Sequence, residues 1–207
     1  MTRIPGLVGA AVYGNAGAYG HSIHEWVEEV RFYDAGAGSV RSFSNSECEF
    51  RYRESVFKRH KDWTIFSTTL RLVPGDAVAL RAKAEEIRSI RDEKYPPTMK
   101  CAGSIFKNLL FDRLPSAAQA QVPPSKVREG KVPSAHFLEM VGAKGMRIGG
   151  VVNADYHANL IYNAGGGTAD EICRMVDELK GRVRERFGFD LEEEVQYVGF
   201  GGLRKSF

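Results

Sequence analysis

The alternation of apolar and polar residues is clearest in "TIFSTTLRLVP", residues 64–74. With its β-branched content, that pattern predicts a strand ending at Pro74. Upstream, "HEWVEEVRFYD" alternates in part, "AGAGS" follows as a loop, and "VRSFS" reads as a further short strand. After Pro74 and Gly75 the period changes. "DAVALRAKAEEIRSI" predicts a helix from Asp76, an N-cap candidate, to about Ile90. The strongest helical signal comes late in the chain. In "TADEICRMVDELKGRVRERF", Thr168 and Glu171 have capping-box spacing. Ile172, Met175, Val176, Leu179 and Val183 recur on one face, as a buried stripe requires.

Other stretches carry weaker patterns. The opening "MTRIPGLVGAAVYGNAGAYG" holds Gly6, Gly9, Gly14, Gly17 and Gly20. That density predicts sharp turns or backbone lying close to a ligand rather than a packed helix. The spacing is not the G-x-G-x-x-G of a dinucleotide fold. "KYPP" ends one unit and opens another. "LLFDRLPSAAQAQVPPSKVREGKVPS", rich in alanine, proline and serine, reads as a surface insertion without a core of its own. "AHFLEMVGAKG" predicts a short helix ending at Gly142 or Gly145, and "ANLIYN" predicts a strand. "FGFDLEEEVQYVGF" predicts an acidic turn leading into a last strand. The expected fold class is α+β.

Composition narrows the function classes. The 207 residues are 43% hydrophobic and 27% charged, a globular profile. The net charge of +3 is spread through mixed runs such as "KAEEIRSIRDEK", which argues against a nucleic-acid surface. It suits a small anionic substrate. Cys48, Cys101 and Cys173 lack paired spacing, so reduced thiols are expected and no disulfide framework or zinc site. No apolar run reaches membrane-spanning length, and the opening lacks the apolar segment of a secretory signal, so a cytoplasmic protein is expected. His21, His24 and His60 have no carboxylate at a telling spacing, and no metal site is expected.

Five blocks, in order, resemble one family. "IPGLVGAAVYGNAGAYG" resembles the flavin-contacting segment of the UDP-N-acetylenolpyruvylglucosamine reductases, the MurB family. "CEFRYRESVFK" resembles that family's C-x-F-x-Y-R-[DE]-S-x-F motif, and "AGSIFKN" its G-S-x-F-K-N-P motif. "IGGVVNADYHANLIYNAGGGTADEI" is similar to its H-A-N-containing segment, and "LEEEVQYVG" to its terminal L-E-x-E-V.

The resemblance implies a partial FAD-binding lobe of the PCMH type over residues 1–73 and a MurB C-terminal-type substrate domain over 74–207. It implies reduction of UDP-N-acetylglucosamine enolpyruvate to UDP-N-acetylmuramate, with FAD as cofactor and NADPH as hydride donor, in peptidoglycan biosynthesis. By motif match, Ser104 would be the proton donor, Arg53 the cation facing the substrate carboxylate, and Glu194 the third catalytic residue. Tyr52, Lys107 and Asn108 would bind substrate. Ile4, Pro5, Gly6, Gly9, Ala10, Ala11, Asn15, Gly17 and Ala18 would line the flavin. His157, in the H-A-N block, is expected to pack or to orient substrate. Family members carry a further flavin-binding lobe ahead of the first block, so the expectation here is of a chain without it. Either the reading frame is incomplete, or a separate chain supplies that lobe, or the protein is a non-catalytic relative binding nucleotide-sugar without flavin. A flavoenzyme of the same fold with another substrate is the remaining alternative.

Overall fold

The computed structural model describes residues 2–199. The chain divides into two compact units, Met1–Lys94 and Tyr95–Phe207. The division falls at "KYPP" rather than between residues 73 and 74. The helix after Pro74 belongs with the first unit because it is tied to the chain start. Arg3 donates from Nε to Asp92 at 2.6 Å, and Arg91 donates from Nε to the Arg3 carbonyl at 3.2 Å.

The first unit opens with helix α1 (Val8–Tyr13), then the two-residue strands β1 (Gly17–Ala18) and β2 (His21–Ser22). The glycine-rich opening therefore does contain a helix, with Gly9 inside it. Packing overrides propensity there: Ala11 and Val12 are buried in the core. Gly17 is needed for a different reason. A Cβ there would lie 2.4 Å from the His21 carbonyl oxygen across the tight hairpin.

Strands β3 (Val27–Asp34), β4 (Ser39–Ser44) and β5 (Trp63–Leu70) form an antiparallel sheet in the order β4-β3-β5. The predicted strands are all present. A bulge between Val27 and Glu29 shifts the parity of β3, which is how Val27 and Val30, three apart, both face inward. The core is aromatic. Phe32 meets Phe43 at 4.8 Å, Phe57 at 5.2 Å and Trp63 at 4.5 Å between ring centroids. Cys48 is enclosed beside it, and burial, with the Glu47 charge next, pushes its thiol up to about 12. Helix α2 (Ala77–Lys94) closes the unit. Asp76 caps it as expected, its carboxylate accepting from the N–H groups of Val78 (2.7 Å) and Ala79 (2.8 Å).

The second unit contains, in chain order, β6 (Lys100–Ser104), β7 (Leu109–Leu110), α3 (Ser116–Gln119) and β8 (Lys131–Val132). Then come α4 (Ser134–Met140), β9 (Arg147–Ile148), β10 (Val151–Asn153), β11 (Leu160–Asn163) and α5 (Ala169–Phe187). A four-stranded sheet has the order β6-β11-β10-β9, and β7 pairs with β8. Its largest core cluster joins the α5 stripe to Phe137, Leu138, Val151 and Ile161. Met175, Val176, Leu179 and Val183 are fully buried and Ile172 half-buried. The Thr168–Glu171 capping box is formed as the spacing requires.

Two expectations for this unit are corrected. Residues 109–134 are not a coreless insertion. Leu114, Ala118, Val122 and Val132 enter the main core. Nor does 188–199 form a strand: the segment makes an isolated bridge between Glu193 and Phe106 and otherwise runs irregularly.

Candidate functional site

In the first unit the expected site residues gather around a tight turn. Arg51 and Glu54 exchange backbone hydrogen bonds at 3.0 and 3.1 Å, which puts Tyr52 and Arg53 at the tip. Arg53 adopts a left-handed backbone, φ 56°, a conformation that a bulky residue holds only when its surroundings fix it. Its guanidinium donates to the Gly17 carbonyl at 2.6 Å and to the Asn15 carbonyl at 3.5 Å, and lies 5.1 Å from the Tyr52 ring centre. Lys58 donates to the Arg53 carbonyl at 3.0 Å and to Glu54 at 3.0 Å, while Glu49 pairs with Arg59 at 2.6 Å. Arg53 is thus anchored to the glycine-rich segment.

Asn15 explains much of that anchoring. It is buried, with φ 43°. Its amide donates to the Arg51 carbonyl at 2.7 Å, and its side-chain oxygen accepts from the His24 N–H at 3.3 Å. Ser55, also buried, donates to the Tyr13 carbonyl at 2.6 Å. Of the other residues expected to line a flavin, Pro5, Gly6 and Ala10 are exposed, Ile4, Gly9, Gly17 and Ala18 half-buried, and Ala11 buried. Gly9 and Ala10 border a groove of about 530 Å³ with Leu7, Val8, Tyr13 and Trp63–Thr68. His21, expected to lack an acidic companion, has one in Glu25, four residues on, at 2.8 Å.

In the second unit, Ser104 ends β6 opposite Leu160 of β11, with Gly103 before it at φ 82°. Ser104 is half-buried, Ile105, Phe106 and Lys107 are buried, and Asn108 is exposed. The acidic turn closes over this segment. Glu194 donates its N–H to the Ile105 carbonyl at 2.7 Å, and Lys107 donates its N–H to the Glu192 carbonyl at 2.9 Å. The Lys107 ammonium pairs with the Glu192 carboxylate, and Lys180 pairs with Glu193 at 2.9 Å. Ser104 and Glu194, ninety positions apart in sequence, are therefore on adjoining backbone segments. Arg53 stands in the first unit.

Sequence reasoning missed two residues here. Asn159 and Ser134 are buried beside Phe106, and Asn159 bonds to both ends of its main chain. The available signal was a polar residue inside the apolar run "ANLIYN". His157 lies next to that network: its Nδ1 is 3.4 Å from the Asn159 N–H, and its ring faces Tyr95 at 6.5 Å. Among the described residues, no three His, Cys, Asp or Glu side chains group as a metal site, and no helix is long and apolar enough to cross a membrane.

The profile of the UDP-N-acetylenolpyruvoylglucosamine reductase C-terminal domain matches residues 95–198, starting where the second unit starts. The chain belongs to the UDP-N-acetylenolpyruvoylglucosamine reductase family. It is 65% identical to the reductase of that name from Solibacter usitatus over 96% of this chain and 63% of the relative. With the Thermotoga maritima reductase it shares 35% identity over 97% of this chain and 63% of the relative. The crystal structure of the Thermus caldophilus UDP-N-acetylenolpyruvylglucosamine reductase (MurB) superposes with a TM-score of 0.69 at 26% identity, covering 94% of this chain and 61% of that one. The chain spans about three-fifths of the length of the curated relatives it matches.

Proposed function

We propose that this chain carries the substrate-handling part, and one side of the flavin-binding part, of a cytoplasmic reductase. It would convert UDP-N-acetylglucosamine enolpyruvate to UDP-N-acetylmuramate for peptidoglycan synthesis. The observation that carries the reading is the acidic-turn bond from the Glu194 N–H to the carbonyl of Ile105, the residue after Ser104, in a chain 65% identical to a reductase.

Within this reading the residues divide the work. When bound, FAD reduced by NADPH supplies a hydride to the outer carbon of the enolpyruvyl double bond. Electron density then builds on the substrate's inner carbon and carboxylate. Arg53, an always-charged planar donor, neutralises the carboxylate. Glu194 orients or polarises that end with it. Ser104 delivers the proton to the inner carbon, completing the saturated lactyl ether. Tyr52, Lys107 and Asn108 hold the nucleotide-sugar, and the cation Lys107 supports the developing negative charge.

The residues present fit one wall of a flavin site. Pro5, Gly6 and Ala10 are exposed and small, which leaves room for a ligand against that surface. The opposite wall would fall to a complementary lobe. Exposed apolar residues support this: Leu7, Val8, Phe66, Leu72 and Val73 all belong to the first unit and face outward.

The test is turnover of the enolpyruvyl nucleotide-sugar by the chain mixed with the part of the Solibacter usitatus relative outside the matched span. Ser104→Ala is expected to lower product formation about a hundredfold or more while NADPH still bleaches the flavin. Undiminished turnover in Ser104→Ala would overturn the assignment. A colourless mixture that binds the UDP-sugar and reduces nothing would favour a non-catalytic relative.

A further inference from the structure

We propose that Asn159 is the positioning residue of the Ser104–Lys107 segment, its carboxamide taking the place of a missing strand residue. The ladder between β6 and β11 ends at Ser104 opposite Leu160. Beyond that pair the backbone before β11 turns away, His157 donating its N–H to the Ala154 carbonyl. Phe106 would then have a buried N–H and C=O with no strand beside them on that edge. Asn159 fills the gap. Its main-chain oxygen accepts from the Ile105 N–H at 3.1 Å. Its side-chain Oδ1 accepts from the Phe106 N–H at 2.9 Å, and its Nδ2 donates to the Phe106 carbonyl at 2.8 Å. Accepting from one residue's N–H and donating to the same residue's C=O is what an antiparallel partner does. Nδ2 also donates to Ser134 Oγ at 2.8 Å, and Ser134 Oγ donates to the Phe106 carbonyl at 3.4 Å.

The network is dry. Phe106 is 1% exposed, Asn159 4% and Ser134 0%. A buried main-chain group that loses its partner carries the full desolvation penalty, so the carboxamide cannot be replaced by an apolar group at little cost. On the opposite edge the acidic turn bonds Ile105 and Lys107. Residues 105–107 are therefore held from both sides, and the Ser104 hydroxyl and Lys107 ammonium leave the chain at the two ends of the clamped stretch. The consequence for catalysis rests on the reading of Ser104 given above.

The test is amide hydrogen exchange in the full 207-residue chain. Asn159→Leu keeps the γ-branched shape, with a somewhat larger volume, and removes both side-chain bonds to Phe106. Exchange at Phe106 is expected to rise about tenfold relative to Ile105, whose N–H bonds to the main chain of residue 159 and serves as an internal reference. Asn159→Asp keeps an acceptor for the Phe106 N–H and is expected to recover part of that protection. Leu179→Ala, a cavity in the same core, is expected to move Phe106 and Ile105 together. If Phe106 and Ile105 shift equally in Asn159→Leu, Asn159 is an ordinary core residue and the proposal fails. Should that variant not fold, Ser134→Ala, which removes one partner of Nδ2, is expected to raise Phe106 exchange about threefold. No rise there counts against the clamp. In the mixture with the complementary lobe, Asn159→Leu is expected to lower kcat about tenfold or more with KM little changed. A loosened Phe106 with unchanged turnover leaves the clamp standing and removes the role of Ser104. An unchanged Phe106 removes the clamp whatever turnover does.

Discussion

The two units solve the problem of burying apolar surface to different degrees. In the second, one continuous core runs from the α5 stripe through α3, α4 and the sheet. Its long helix buries Cys173, Met175, Val176, Leu179, Val183 and Phe187. In the first, the core is a small aromatic cluster behind three strands, and α2, eighteen residues long, buries none of them. Val78 is 78% exposed and Leu80 60%. What remains on α2 are exposed pairs such as Lys83–Glu86 and Arg88–Glu85, each worth only a few tenths of a kcal/mol. A helix gains most of its stability from packing its apolar face, so α5 is locked to its unit's core and α2 is not.

The comparison can be broken or sharpened by substitution. The largest effect is expected from Phe32→Ala, which removes the ring meeting Phe43, Phe57 and Trp63 in a core with little else to hold it. The first unit should lose about 3–5 kcal/mol while the second keeps its own transition, read by denaturant unfolding with probes in each unit. Next comes Thr168→Ala, which removes the cap of α5. It is expected to cost about 1 kcal/mol, confined to the second unit.

A pH effect should belong to the first unit. The Asp34 carboxylate is held below the usual range, chiefly by the Ala37 N–H and then by Arg41. A depressed folded-state value means that this stabilisation is present above the usual carboxylate range and is lost as pH falls through the depressed value. Asp34→Asn should therefore lower stability at neutral pH and flatten its decline in acid, as followed by urea midpoints across pH. The smallest effect is expected from Val78→Ser with Leu80→Ser. In the chain alone they should change stability by no more than about 0.5 kcal/mol. A larger loss would mean that α2 has a buried face after all.

Legibility in the sequence followed how local the determinants are. The α5 cap and stripe lie within one helix, and Asp76 caps α2 through the next few N–H groups, so pattern alone finds them. β5 was readable because it alternates. Helix α1 was not, because it forms where Ala11 and Val12 pack into the core, which propensity does not encode. Leu114, Ala118 and Val122 were hidden in a segment whose proline and serine content pointed to a loop. Ser104, Glu194 and Arg53 were found only through motif resemblance, since nothing in a lone serine or carboxylate predicts its neighbours. Asn159 was passed over because its value lies in bonds to a residue fifty-three positions away.

Native-state hydrogen exchange in α2 and α5 tests the contrast between the units most directly. The account expects α5 amides to exchange only through global unfolding of the second unit, and α2 amides to exchange through local opening at least about a hundredfold faster. Slow α2 amides in the isolated chain, protected as well as those of α5, would contradict it.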